Sequence, residues 1–190
     1  MTSYKKLILI TLILTITIPI STAHRRGWRR RSPKRGDGNA EQFLRDICSK
    51  HEKADACLSL IKAEPRLFDH SNSVDAVSNV IDLALEKTDA FGDQLKQWYN
   101  DTNDGKVREK YGSCSENYDD VSVYLKNAQR DFDSDDYRRT TDRVDDAKRE
   151  LKKCGRVFGS GSIDPGHVEN RNNEIRIYLD IIRAATTRLD

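Results

Sequence analysis

Residues 107–158 read VREKYGSCSENYDDVSVYLKNAQRDFDSDDYRRTTDRVDDAKRELKKCGRVF, two helical patterns with an acidic run between them. In the first, apolar or cysteine residues recur at Val107, Tyr111, Cys114, Tyr118, Val121, Leu125, Ala128 and Phe132. Steps of four and three alternate, which is the spacing of one stripe along an α-helix. The second stripe keeps the same alternation through Tyr137, Thr140, Val144, Ala147, Leu151, Cys154 and Phe158. Between them, Asp131-Phe132-Asp133-Ser134-Asp135-Asp136 supplies turn and N-cap chemistry. So short a connection makes the two helices antiparallel neighbours. Cys114, near the start of one, can then lie beside Cys154, near the end of the other. A bridge there closes a loop of about 40 residues and contributes roughly 4 kcal/mol in the chain-entropy model. The stretch predicts a disulfide-bonded helical hairpin.

Working outward, a long stripe precedes this hairpin: Val74, Val77, Ile81, Ala84, Thr88, Phe91, Leu95, Trp98. Ser71, Asn72 and Ser73 offer its N-cap, and Asn103-Asp104-Gly105 ends it. A last stripe follows at Val168, Ile175, Leu179, Ile182, Thr186 and Leu189, flanked by Ile177 and Ile181. Gly159-Ser160-Gly161-Ser162 and Asp164-Pro165-Gly166 read as a flexible link before it. Upstream, residues 41–61 form two short helical pieces, stopped at Glu64-Pro65-Arg66 because proline disfavours helix in the residue before it. No stretch alternates with a period of two. The expected fold is all-α, one antiparallel four-helix bundle.

Lys5 and Lys6, an apolar run from Leu7 to Ile18, then Pro19 and the small Ser21, Thr22 and Ala23 make residues 1–23 a secretory signal peptide. That run is too short to cross a bilayer comfortably, which argues against a stable membrane anchor. A secreted chain holds its cysteines in an oxidising compartment. Four cysteines allow three pairings. Cys48 and Cys57 would be roughly 13 Å apart on one straight helix, so their pairing requires the chain to reverse between them. The preferred set is 48–57 with 114–154; four free thiols is the alternative.

The chain carries 33 Lys+Arg against 31 Asp+Glu, a net charge of +2, and loss of Lys5 and Lys6 brings it to neutrality. The balance is uneven. Residues 24–36, HRRGWRRRSPKRG, hold seven basic residues and no acid, so the rest is acidic. Residues 24–39 read as a basic, disordered arm ahead of a domain over 40–190. Nucleic acid does not fit a secreted protein. An acidic polysaccharide such as pectin, or an anionic membrane surface, fits residues 24–36 better, and a solvated tail or a processing segment is the bland alternative.

Catalytic motifs are missing. His51-Glu52 resembles the start of a zinc-protease helix, but Asp55 stands where the second histidine belongs. Asp131, Asp133 and Asp135 are spaced like the start of a calcium loop, yet Asp136 and Asp142 occupy the positions that require glycine and glutamate. The sequence therefore predicts no metal, no cofactor and no enzyme. Asn100-Asp101-Thr102 is an N-glycosylation acceptor near a helix end.

These residues carry a resemblance to the plant invertase and pectin methylesterase inhibitor family. Ile47-Cys48-Ser49-Lys50-His51-Glu52-Lys53-Ala54-Asp55-Ala56-Cys57 has the family's spacing of paired cysteines. Glu64-Pro65-Arg66 stands where the family usually has Asp-Pro-Arg. Cys114-Ser115-Glu116-Asn117-Tyr118 matches its Cys-x-Glu-x-Tyr signature, and Cys154-Gly155-Arg156-Val157-Phe158 its Cys-x-x-x-Phe. The chain departs from the family at His51, Ala54, Val144-Asp145-Asp146-Ala147 and Lys153. The resemblance implies an N-terminal helical hairpin before the bundle, with the first cysteine bonded to the second and the third to the fourth. It also implies a secreted, non-catalytic inhibitor that binds an apoplastic or cell-wall carbohydrate enzyme one to one. Pectin methylesterase is the expected target, with invertase the alternative. A divergent bundle without inhibitory activity, held to acidic wall polysaccharide by its arm, is a third reading. Candidate partner-binding residues are Glu116 and Asp120, four apart on one helical face, and Arg149 and Lys153, likewise four apart. Glu116 is the one the resemblance supports best. An ordinary solvated face is the competing explanation for all four.

Overall fold

The first helix, α1 (Ala40–Cys48), starts where the Asn39 side chain accepts the Glu41 backbone N–H at 2.9 Å. The computed structural model describes residues 39–69, 72–158 and 164–190. The signal peptide, the arm up to residue 38, Ser71 and the Gly-Ser run at 159–162 lie outside the described residues. Next come α2 (Ala54–Lys62) and a single 3₁₀ turn at Pro65–Leu67. Four long helices follow: α3 (Ser73–Asp101), α4 (Gly105–Asp133), α5 (Tyr137–Val157) and α6 (Val168–Leu189). No strand occurs among the described residues, and none of their helices is long and apolar enough to cross a membrane.

The four long helices form an antiparallel bundle in which consecutive helices are neighbours and α6 closes the ring against α3. The stripes read from the sequence line its core: Val77, Ile81, Ala84, Leu95, Val121, Leu125, Ala128, Val144, Ala147, Leu179 and Ile182 are fully buried. An aromatic chain runs through one end of it. Tyr118 meets Phe91, Phe91 meets Trp98, Trp98 meets Tyr111 and Tyr111 meets Phe158, with ring centroids 5.1–5.8 Å apart.

The acidic run between α4 and α5 does what turn chemistry requires. Asp136 N–H bonds to the Asp131 carbonyl and Asp135 N–H to the Phe132 carbonyl, both at 2.9 Å, closing a Schellman motif. Asp135 takes the left-handed position with φ of 61°, and Asp136 caps α5 by accepting the Arg139 N–H at 3.1 Å. Asp131 and Asp133, the other two residues of calcium-like spacing, face Arg143 and Gln129 instead.

Both disulfides join the pairs expected. Cys114 and Cys154 tie α4 to α5 with Cα atoms 4.6 Å apart, and Cys48 and Cys57 tie α1 to α2 at 5.3 Å. Between α1 and α2 the chain reverses through residues 49–53. There the His51 ring lies within 3.2 Å of Asp180 on α6 and accepts the Lys53 N–H at 2.9 Å. Asp180 also takes Lys148 of α5 at 2.5 Å, so one carboxylate holds the N-terminal hairpin and two bundle helices together.

Asp164-Pro165-Gly166 is more than a link. The Asp164 carboxylate accepts the N–H groups of Val168 and Glu169, at 2.9 and 3.1 Å, and so caps α6 from upstream. Gly166 lies beneath the Trp98 ring, where any Cβ would overlap the indole.

Candidate partner-binding surface

Cys-x-Glu-x-Tyr is a helical sequence, so its members cannot all point one way. Cys114 is fully buried in its disulfide. Tyr118, one turn on, is 1% exposed and donates its hydroxyl to Asn172 Oδ1 on α6 at 2.8 Å. Burial pushes that phenol well above its ordinary pKa. Asn172 in turn directs its amide N–H toward the Cys154 sulfur at 3.5 Å, joining α4, α5 and α6 at one level. Nothing in the sequence pattern marked Asn172, a polar residue on a helix otherwise read by its apolar stripe.

Glu116 is the outward member. It is exposed and forms one wall of an open groove between α3 and α4, with Lys96, Tyr99, Asn100, Gly112 and Ser115. Asp120 is exposed one turn farther along, and Val123, at the next turn, is 54% exposed. Neither carboxylate pairs with another described residue. Their neighbour Asp119 does, with Lys96 of α3 at 2.8 Å, and that hydrogen bond raises the lysine's pKa above its ordinary value. Glu116, Asp120 and Val123 thus make an unpartnered stripe of two charges and one apolar side chain. The sequence reading missed Val123. Its signal was its place two residues from both Val121 and Leu125, off the core stripe.

Arg149 and Lys153 are exposed on α5, and the Cys114–Cys154 bridge brings this end of α5 level with Glu116. Both cations have partners within their own helix. Arg149 is bonded to Asp146, and Lys153 lies 2.7 Å from Glu150, whose side chain is only 12% exposed. A carboxylate so little hydrated needs a countercharge, which gives Lys153 a structural role.

Asn100 is exposed in the last turn of α3, with Thr102 as the helix C-cap. No three His, Cys, Asp or Glu side chains among the described residues are placed to hold a metal ion. What the surface offers is contact, through acids and apolar groups on the outer side of α4.

A family model described as plant invertase/pectin methylesterase inhibitor matches residues 42–171. Among solved structures, a mutant form of a pectin methylesterase inhibitor from Arabidopsis is similar with a TM-score of 0.69 at 19% identity, over 77% of this chain and 97% of that one. A pectin methylesterase inhibitor from Arabidopsis thaliana gives 0.59 at 19% identity, over 78% of this chain and 97% of that one. At such identity the likeness is one of fold. No curated protein matches by sequence.

Proposed function

The chain belongs to the plant invertase/pectin methylesterase inhibitor family, whose members are inhibitors rather than catalysts, and on that premise we propose that it inhibits a pectin methylesterase by reversible one-to-one docking through the outer face of α4. One observation carries this reading. In Cys114-Ser115-Glu116-Asn117-Tyr118, the cysteine and tyrosine serve the core, while Glu116 is left outside, beside Asp120 and Val123, with no partner among the described residues. Cys-x-Glu-x-Tyr, intact at residues 114–118, favours that enzyme over invertase, and the two solved structures that share the fold are themselves described as pectin methylesterase inhibitors. Partner-held Arg149 and Lys153 rank below the α4 acids as contacts.

The proposal includes the chain's route. Residues 1–23 direct secretion to the apoplast, residues 24–39 are a basic arm whose last residue, Asn39, caps α1, and residues 40–190 are the inhibitor domain. The seven basic residues of 24–36 give the arm its affinity for de-esterified pectin, a polyanion, with release as salt rises above ~0.15 M. An arm deletion that is still retained on pectin would reduce the arm to a spacer.

Titration calorimetry with a pectin methylesterase and, separately, an invertase tests the target. Reversing both acids, Glu116→Lys with Asp120→Lys, is expected to weaken the complex by a few kcal/mol, since like charges meeting at an interface cost that much. Unchanged affinity in a folded double variant removes this face of α4 from the interface. A complex with invertase alone moves the target to that enzyme.

A further inference from the structure

The acceptor Asn100-Asp101-Thr102 and the signature residue Glu116 are separated in sequence, but the fold puts Asn100 and Glu116 on opposite walls of one groove. Between them lies Tyr99, one of two large hydrophobic side chains that the described residues leave exposed, at 42%. Its ring packs on Gly112 of α4, where a Cβ would stand 3.0 Å from the ring carbons, and the Arg108 guanidinium sits 5.8 Å from its centroid. Gly112 and Arg108 both hold the ring from the α4 side, and the part of Tyr99 left exposed lines the groove. The apolar face of a pyranose is suited to cover such a ring, because it removes apolar surface from water without burying the sugar hydroxyls.

We infer that Asn100 carries an N-linked glycan whose first sugars lie in this groove against Tyr99, and that the glycan controls access to the Glu116 side of α4. The docking half rests on the inhibitory reading above; the modification half rests only on the secretory route proposed with it. The transfer occurs on the chain before α3 has folded. The Asn100 amide nitrogen attacks C1 of the terminal N-acetylglucosamine of a polyprenyl-diphosphate oligosaccharide. The new bond is C1–N, the C1–O bond to phosphate breaks, the lipid diphosphate departs and the amide gives up one proton. No electrons change hands. Because Asn100 and Glu116 line one groove, a branched oligosaccharide on the first wall screens the second from a macromolecule.

The full chain, secreted from a eukaryotic host, is compared with Asn100→Gln, with Thr102→Ala, which also destroys the acceptor, and with Thr102→Ser, which preserves it. Peptide mass spectrometry is expected to find a glycan at Asn100 in the wild type and in Thr102→Ser only. An unoccupied Asn100 overturns the inference. Carbodiimide labelling of Glu116 and iodination of Tyr99 are expected to be several-fold slower in the glycosylated forms; equal rates overturn the placement in the groove. Affinity for pectin methylesterase is expected to be at least several-fold lower for the glycosylated forms than for the two unglycosylated variants. Equal affinity, with Asn100 occupied, overturns the control of access. If no form binds the enzyme, the docking half falls with the inhibitory reading, while mass and labelling still decide the modification.

Discussion

Two buried tyrosines show how far a single hydroxyl's surroundings set its worth. The Tyr118 hydroxyl donates a hydrogen bond to Asn172, whereas the Tyr178 hydroxyl is buried on α6 without a hydrogen-bond partner among the described residues. Tyr118→Phe is expected to cost about 1 kcal/mol, since it removes a made bond and leaves Asn172 short of a donor. Tyr178→Phe removes only an unpaired polar group and is expected to stabilise the fold by about 1 kcal/mol; denaturant midpoints of the two variants check both signs. Burial holds both phenols above the ordinary value of 10.0. In the unfolded chain they ionise from about pH 10, so there the folded state binds more protons and stability falls as pH rises further. Below that pH they contribute no slope. Tyr178→Phe should therefore lose less stability than the wild type between about pH 9 and about pH 11. A parallel loss in both proteins would clear Tyr178 of any part in alkaline unfolding.

Among elements, the α4–α5 turn illustrates a local rule kept by an imperfect residue. Asp135 occupies the left-handed position that glycine holds without strain, at φ of 61°. Relief of that strain outweighs the extra freedom glycine gains in the unfolded chain, so Asp135→Gly should stabilise the protein by about 0.5 kcal/mol. Gly166 presents the opposite case. Adding one methyl there drives it into Trp98, and Gly166→Ala is expected to cost about 1–3 kcal/mol in thermal unfolding. The Asp135 turn was legible in the sequence, because four acids and a serine within residues 131–136, where one stripe ends and before the next begins, permit little else. Gly166 was not, because its partner Trp98 ends a different helix. The stripe of α3 was likewise read too narrowly. Ala76, Val80 and Leu83 are also fully buried, since α3 meets α1 and the 3₁₀ turn in addition to α4 and α6. A stripe shows the face a helix gives its main neighbours; a second neighbour brought by a distant segment widens the arc unannounced. For the same reason Glu116 and Asp120 could be named as surface, while their shared groove with Asn100 required the register of α3 on α4.

At the scale of the molecule, two covalent loops of unequal size hold one bundle. The separations are 9 and 40 residues. In the chain-entropy model they contribute roughly 2.6 and roughly 4 kcal/mol, so the pair Cys114→Ser with Cys154→Ser should lower the melting temperature more than Cys48→Ser with Cys57→Ser. The reverse order would mean that docking of the N-terminal hairpin, through His51 and Asp180, governs global stability. The charge asymmetry also belongs to this scale. A basic arm in front of an acidic domain can be read from composition alone, because it depends on counts along the chain and on no contact.

The longer bridge has a further consequence, in mechanics. A chain pulled from its two ends transmits force across the sulfur–sulfur bond, bypassing the stretch between two cysteines 40 positions apart. Fully extended, the protein falls short of its reduced contour by about 140 Å, at 3.3–3.6 Å for each enclosed residue. The α4–α5 hairpin that carries Glu116 is then the last part to lose its shape under tension, and reductant in a single-molecule pulling experiment should lengthen the trace by that amount.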